Sequence, residues 1–282
     1  MSGAFTTADG RTLSYERRGS GPLLVCHPGG PGGSAAEFRG FAGLDDTFDL
    51  VLLSPRGSAG SDAADSYALE SYAADLDELR AHLGVERLKL LGFSHGGIVA
   101  IVYAAAYPDR VDRLVLASTI SVFDEAAQAA QMAGVEARRG APWFADAERA
   151  IADEQAGQFE TSEDLVANVQ AQIPLYFHRW QGHEQAGWEL AADFAHAEPL
   201  RYFNEQEFPS FDLRPSLRTI GAPTLVMTGE SDFICGPVCA RTIADELADA
   251  RLVVIPEAGH FTYVERPEAF RSALADFLLA GT

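Results

Sequence analysis

One serine in this chain sits where a hydroxyl becomes reactive. Gly92-Phe-Ser-His-Gly96 has the form G-x-S-x-G, between the apolar run Leu88 to Leu91 and the wholly apolar stretch Gly96 to Tyr107. A strand feeding a buried helix through so tight a turn is the setting of a nucleophile elbow. Small flanking residues there let the serine Oγ stand clear of the backbone. The helix N-terminus beside it favours developing negative charge. The pattern alone is weak, because glycine-rich strand–helix turns match it by chance. Its place between strand and helix gives it weight.

A serine hydroxyl needs a base, and the base needs an acid to orient it. Seven histidines compete: His27, His82, His95, His178, His183, His196 and His260. His82 falls in an amphipathic helical pattern, and His178, His183 and His196 fall in a long polar helical region. His260, in Gly259-His-Phe, follows the apolar run Arg251 to Ile255, which brings it to the same sheet edge as Ser94. Asp232, in Gly229-Glu-Ser-Asp-Phe, follows the run Thr224 to Thr228, with Glu230 as its competitor. All three lie at carboxyl ends of strands, where open α/β sheets place their sites. Ser94, Asp232 and His260 come in the chain order of α/β-hydrolases. An aspartate-nucleophile dehalogenase or epoxide hydrolase is disfavoured, because the elbow carries serine.

The elements that must position these residues are legible as patterns. Leu23 to His27, Leu50 to Leu53, Leu88 to Phe93, Arg113 to Ala117, Thr224 to Thr228 and Arg251 to Ile255 are short, nearly continuous apolar runs. Such strands are buried on both faces, as in a parallel sheet covered by helices. Leu69, Tyr72, Ala73, Leu76, Leu79 and Leu83 make a helical stripe. Pro108 ends the helix that follows the elbow, and Pro267 to Leu279 reads as a closing helix. Phe5 to Arg17 around Asp9-Gly10 reads as a β-hairpin. The strand–helix alternation stops from Thr119 to Ser210, a helical region that carries all three tryptophans. The expectation is an α/β-hydrolase fold: a mostly parallel sheet with helices on both faces. Its core is residues 1–118 and 211–282, and 119–210 form an inserted helical cap.

On these residues the chain resembles the α/β-hydrolases and, within them, the proline iminopeptidases (prolyl aminopeptidases) and their relatives. The resemblance covers nearly the whole chain. Its strongest motif outside the Ser, Asp and His set is His27-Pro-Gly-Gly-Pro-Gly-Gly33, similar to that family's His-Gly-Gly-Pro-Gly loop. In the family, a glycine here and the residue after the serine form the oxyanion hole. The resemblance therefore implies the backbone N–H groups of Gly30 and His95 as donors. The loop is one residue longer here, since Pro28 separates His27 from the glycines, which leaves Gly29 as an alternative. A phosphate-binding loop is disfavoured by the missing Lys-Ser/Thr and by the net charge. Ser54-Pro-Arg-Gly-Ser-Ala-Gly-Ser61 resembles the family's Asp-x-Arg-Gly-x-Gly-x-Ser segment, with Ser54 in place of the acid. It reads as structural support beneath the site, anchored by Arg56. The resembling peptidases bind the substrate ammonium with cap glutamates. Glu198-Pro-Leu-Arg-Tyr-Phe-Asn-Glu205 is loosely similar to their motif, so Glu198 and Glu205 are the candidates, with Glu207 in reserve.

Composition bounds the partners. The 282 residues are 47% hydrophobic and 22% charged, with a net charge of −20. That is ordinary for a globular chain. So acidic a surface repels nucleic acid and anionic membranes. Thr119 to Ser210 hold 16 acidic and 5 basic residues, net −11, against net −9 over the other 190. An excess of carboxylates there suits a cationic substrate group, and equally a solvated surface. No apolar run reaches the roughly 20 residues of a membrane span. The N-terminus lacks a secretory pattern, and three cysteines, Cys26, Cys235 and Cys239, suggest free thiols in a reducing compartment. A cytoplasmic enzyme is expected. Cys235 and Cys239 are four apart, but no second Cys or His pair accompanies them, so no metal and no organic cofactor is implied. The expected function is a serine hydrolase, an aminopeptidase releasing an N-terminal residue from a short peptide or amide. An esterase, thioesterase or amidase for a small metabolite would use the same three residues. A non-catalytic hydrolase-fold binding protein is the reading from outside enzymology.

Overall fold

The computed structural model of the chain describes residues 2–157, 161–192 and 196–280. The apolar runs form one eight-stranded sheet: β1 (Ser2–Thr6), β2 (Thr12–Gly19), β3 (Leu23–His27), β4 (Asp49–Ser54), β5 (Leu88–Phe93), β6 (Val111–Ala117), β7 (Thr224–Gly229) and β8 (Ala250–Ile255). Their spatial order is β1-β2-β4-β3-β5-β6-β7-β8. β1 and β2 make the hairpin at Asp9-Gly10, and β2 pairs antiparallel with β4. From β4 to β8 every pair is parallel. Helices α1 (Leu69–His82) and α2 (His95–Ala106) precede β6. Between β6 and β7 come α3 (Glu125–Glu136), α4 (Phe144–Gln155), α5 (Ser162–Gln172), α6 (Glu184–Ala191), α7 (Ala197–Tyr202) and α8 (Arg214–Leu217). Helix α9 (Pro237–Glu246) joins β7 to β8, and α10 (Thr262–Glu265) and α11 (Pro267–Leu278) follow β8.

Successive side chains of a strand point to opposite faces of the sheet. Val25, Val51, Leu90, Leu114 and Val226 accordingly enter one apolar core, with the stripe of α1, the apolar α2 and the buried side of α9. Leu24, Leu50, Leu52, Leu91, Val115 and Leu225 enter a second, closed by α11 and by Phe38 and Phe41. Both faces of the central strands are covered, so no position is left for polar alternation, and the runs read as continuous. Each fully buried leucine contributes about 1.5–3 kcal/mol relative to exposure. The two ends of the long insertion are held side by side. Val122 and Asp212 form an antiparallel bridge, and Leu213 N–H donates to Ser121 O at 2.7 Å. Both ends of the insertion thus lie beside the carboxyl end of β6, and α8 leads the chain back to the start of β7. Among the described residues no helix is long and apolar enough to cross a membrane. Cys26, Cys235 and Cys239 are buried free thiols.

The loop after β4 is tied down by its arginine. Arg56 donates Nε to Asp75 Oδ2 at 2.7 Å and Nη2 to Oδ1 at 2.6 Å, and both side chains are buried. This two-pronged pair joins the loop to α1. Asp75→Ala would take the two-pronged partner from a buried guanidinium, leaving it Asp9 at 3.4 Å and the Ser66 carbonyl at 3.3 Å. The substitution is expected to lower unfolding stability by about 3–5 kcal/mol, read as a fall in the urea midpoint. A midpoint within error of wild type would contradict the anchoring role.

Candidate active site

Ser94 joins β5 to α2 with φ 52° and ψ −119°, a backbone state that side-chain-bearing residues rarely adopt. Its amide donates to Ala117 O at 2.9 Å, and its carbonyl accepts from Thr119 Oγ1 at 2.7 Å and from Gly97 N–H at 2.9 Å. The flanking glycines are required by contact. A Cβ on Gly92 would lie 2.2 Å from Gly96 O, and one on Gly96 would lie 2.4 Å from His27 O. The G-x-S-x-G spacing is therefore the spacing at which strand, turn and helix backbones touch.

The loops after β7 and β8 supply an acid and a base in contact. Asp232 Oδ2 lies 2.9 Å from His260 Nδ1, and both side chains are buried. The other oxygen of Asp232 accepts the N–H groups of Cys235 at 2.9 Å and Ile234 at 3.1 Å. Burial pushes the Asp232 carboxyl up, but His260 and these two N–H groups outweigh it and hold the carboxyl below its ordinary value. An ionised carboxylate can only accept, so Nδ1 carries the proton and Nε2 presents a lone pair. Glu230 turns away, with its carboxylate on Glu257 N–H. Cys235 completes a compact donor set with Asp232 and His260, all within 4.8 Å. Burial pushes its thiol well up, which disfavours the thiolate that a metal would require.

In the glycine-rich loop, Gly29 N–H is already taken, donating to the buried Glu37 Oε2 at 2.6 Å. Gly30 lines the same cavity as Ser94 and His95, and no acceptor for its N–H occurs among the described residues. His95 opens α2, so its N–H has no carbonyl one turn earlier. Of the two candidate donors, Gly29 and Gly30, it is Gly30 whose N–H is free among the described residues.

Ser94, His95, Gly30 and His260 face one cavity of about 450 Å³. Its apolar wall includes Ile98, Ile120, Phe123, Ile151, Leu200, Phe203 and Phe208. Its carboxyl groups are Glu37, from the loop after β3, and Glu154, at the end of α4. The expectation for Glu198 and Glu205 does not hold: both are exposed, and neither lines the cavity. They sit seven residues apart on α7 and its π-helical continuation Phe203–Glu207, which turns Leu200 and Phe203 inward. Glu207 is engaged elsewhere, accepting Leu69 N–H at 3.3 Å. Glu154 is the carboxyl from the insertion that faces the site. Gln172 Nε2 donates to it at 2.6 Å, while burial pushes its pKa up.

Residues 22–267 match the alpha/beta hydrolase fold family. The chain belongs to that family. It is 28% identical over 279 residues to a proline iminopeptidase of Lactobacillus helveticus, covering 93% of this chain and 91% of that protein. Its fold is similar to the crystal structure of a proline iminopeptidase of Mycobacterium smegmatis, at TM-score 0.76 and 21% identity over 99% of this chain and 98% of that one. It is as similar to an esterase of Exiguobacterium antarcticum, at TM-score 0.77 and 21% identity over 99% and 100%. The protein is a hydrolase, and its sequence similarity runs to the proline iminopeptidases.

Several residues of this α/β-hydrolase escape motif reading. Ser118 and Thr119, just past β6, hold His260 and Ser94: Ser118 Oγ donates to His260 O at 2.9 Å, and Thr119 binds Ser94 O. Thr228, in β7, donates to Cys235 O at 2.8 Å and so shapes the acid loop. Their shared signal is a hydroxyl at the carboxyl end of a buried strand. Glu154 stands three residues after Ile151 on α4, an acid on an apolar face, and that too is a readable signal.

Two further imidazoles are buried beside the serine. Burial holds His27 down to about 4 and, with His27 as a second cause, His95 down to about 3. Pro28 O accepts from His27 Nδ1 at 2.9 Å, and His27 Nε2 has no partner. Both folded values lie below the ordinary 6.5. The unfolded chain therefore takes up protons that the native state refuses. Stability present above pH 6.5 should be lost as pH falls toward about 4, by up to about 1.4 kcal/mol per ring per pH unit. Urea midpoints measured between about pH 7 and pH 5, above most carboxylate titration, should fall steadily, and His95→Gln should roughly halve the slope. A pH-independent midpoint over that range would contradict the neutral burial of both rings.

Proposed function

We propose that the protein is a serine hydrolase in which Ser94 is the nucleophile, His260 the base and Asp232 the orienting acid. The observation that carries this is the buried 2.9 Å Asp232–His260 contact beside a serine held in a strained elbow. Ser94 Oγ attacks the substrate carbonyl as His260 Nε2 takes its proton. Asp232 fixes the tautomer and balances the imidazolium. The N–H groups of Gly30 and His95 receive the developing oxyanion, and such a donor contributes about 10²–10³ in rate. His260 then protonates the leaving group, and water repeats the sequence on the acyl-enzyme. Ser94→Ala should fold normally and lose turnover and fluorophosphonate labelling together. Labelling of the folded variant at the wild-type rate would overturn the assignment.

Within that class, the reading best supported is an aminopeptidase acting on short peptides or aminoacyl amides, like the proline iminopeptidases it resembles. Helices α3 to α7 are its cap. In this reading Glu154 receives the substrate ammonium, since it is the cap carboxyl on the cavity. An arriving cation favours the ionised form that burial disfavours. A charge-assisted hydrogen bond of this kind contributes about 1.5–3 kcal/mol. Glu154→Gln should therefore lower kcat/KM for an unblocked aminoacyl arylamide by about tenfold to a hundredfold. Hydrolysis of a p-nitrophenyl ester of similar size should change little. If both substrates fall in the same ratio, amine recognition at Glu154 fails. The second reading, an esterase or amidase for an uncharged metabolite, would then be preferred, because most of the cavity wall is apolar.

A further inference from the structure

The cap touches both loops that carry the acid and the base. His260 donates its backbone N–H to Tyr176 O at 2.7 Å. Glu265, at the end of α10, accepts Gly259 N–H at 2.7 Å on the core side, and His178 and Arg179 N–H at 3.0 and 3.1 Å on the cap side. His178 Nδ1 and Ser231 Oγ lie 2.7 Å apart. Arg138, two residues past α3, closes this seam. It donates to Ser231 O at 2.8 Å in the acid loop, to Phe177 O at 3.2 Å in the cap, and to Gly134 O at 2.7 Å in its own helix. Helix α3 lies against the acid loop at Gly134, where a Cβ would come within 2.8 Å of Phe233 Cβ and 3.1 Å of its Cα.

The guanidinium is only partly exposed, and all its hydrogen bonds among the described residues go to carbonyl oxygens. Burial pushes its pKa down, and the charges of Asp232 and Glu265 act the other way. A helix end needs one donor to satisfy a stray carbonyl. Arg138 spends two of its three bonds outside its helix, on the carbonyl preceding Asp232 and on the segment that binds His260. It is an arginine acting through a fork and a charge together, which lysine cannot reproduce.

We propose that Arg138 is a positioning residue of the catalytic machinery: it fixes the Ser231–Phe233 loop against the cap and sets its positive charge near the Asp232 carboxylate. This rests on the assignment of Ser94, Asp232 and His260 as the reacting set. The other titratable groups around the pair are Tyr176, Cys235 and Cys239, which burial keeps neutral. Glu37 and Glu154 on the cavity and Glu265 and His178 at the seam complete the set. All of these stay in place in the variants below.

The test uses the whole protein, with fluorophosphonate inactivation and p-nitrophenyl ester hydrolysis followed from about pH 5 to pH 9. Fluorophosphonate inactivation reports on Ser94 whatever acyl group the enzyme prefers. Arg138→Met should lower kcat by about tenfold or more with little change in KM, because the acid loop loses its register. Its acid limb should move to higher pH by about half a unit or more, because a cation has left the pair. Arg138→Lys keeps the charge but not the fork, so it should lose rate with the acid limb in place. Gly134→Ala, which presses on Phe233 and leaves the charge alone, should do the same, and with Arg138→Lys it decides the matter if Arg138→Met does not fold. A folded Arg138→Met protein with wild-type rate and wild-type acid limb overturns the proposal. So do Arg138→Lys and Gly134→Ala both at wild-type rate. Failure of the wild-type protein to react with the fluorophosphonate removes the reacting set and this role with it. A reactive wild type with unaltered variants removes the role alone.

Discussion

The site depends on one unfavourable backbone conformation. Ser94 at φ 52° and ψ −119° costs of order 1–3 kcal/mol and persists only where its surroundings over-determine it. Three strands do so. β5 delivers the chain, the end of β6 accepts the Ser94 amide through Ala117 O, and Thr119 binds the Ser94 carbonyl. β3 ends where Gly96 packs against the His27 carbonyl. The strain is thus balanced by tertiary contacts, and each contact needs the sheet register to be right. The parallel pairings β3–β5 and β5–β6 are therefore part of the geometry at Ser94 as well as of the core.

From that turn outward, the same strand ends hold the remaining parts. Ser118 leaves β6 and binds the His260 carbonyl, so the serine loop and the base loop are tied to adjacent residues of one strand end. Thr228 of β7 fixes the acid loop from below, and Arg138 reaches it from the cap. The insertion is bridged at its base by Val122 and Asp212 and stitched to the base loop at Tyr176. An insertion so attached lines the cavity and also bears on the loops that carry Asp232 and His260. Substitutions in α3 far from the cavity would thus be felt as changes in rate.

How much of this was legible follows from the kind of signal each part leaves. Strands buried on both faces read as continuous apolar runs, so the central strands and the helix after the elbow were visible within a residue or two. Glycines forced by backbone contact, Gly92 and Gly96, were visible because nothing else fits. Asp232 could not be separated from Glu230 by sequence, since both follow β7. Only the turn geometry, which gives two N–H donors to Asp232, separates them. Glu198 and Glu205 misled for a different reason. A short helix running into a π-helical turn has no regular period from which to read its inner face. Glu154 was readable in principle on the regular α4, as an acid three residues after Ile151 on the buried side.

The imidazoles around the serine show how burial and partners divide labour. His27, His95 and His260 are all buried, and burial disfavours the charged ring of the first two. His27 faces a carbonyl, and His95 lies against Tyr72 and Phe203, so neither finds a compensating anion. His260 alone of the three is bonded to a carboxylate. In the mechanism we propose, a proton leaving Ser94 therefore has one ring on which its charge is balanced, although His95 is the serine's neighbour in sequence and lines the same cavity. The depressed values of His27 and His95 are thus the counterpart of the Asp232–His260 pair: of the three buried rings, His260 is the one with an anion beside it.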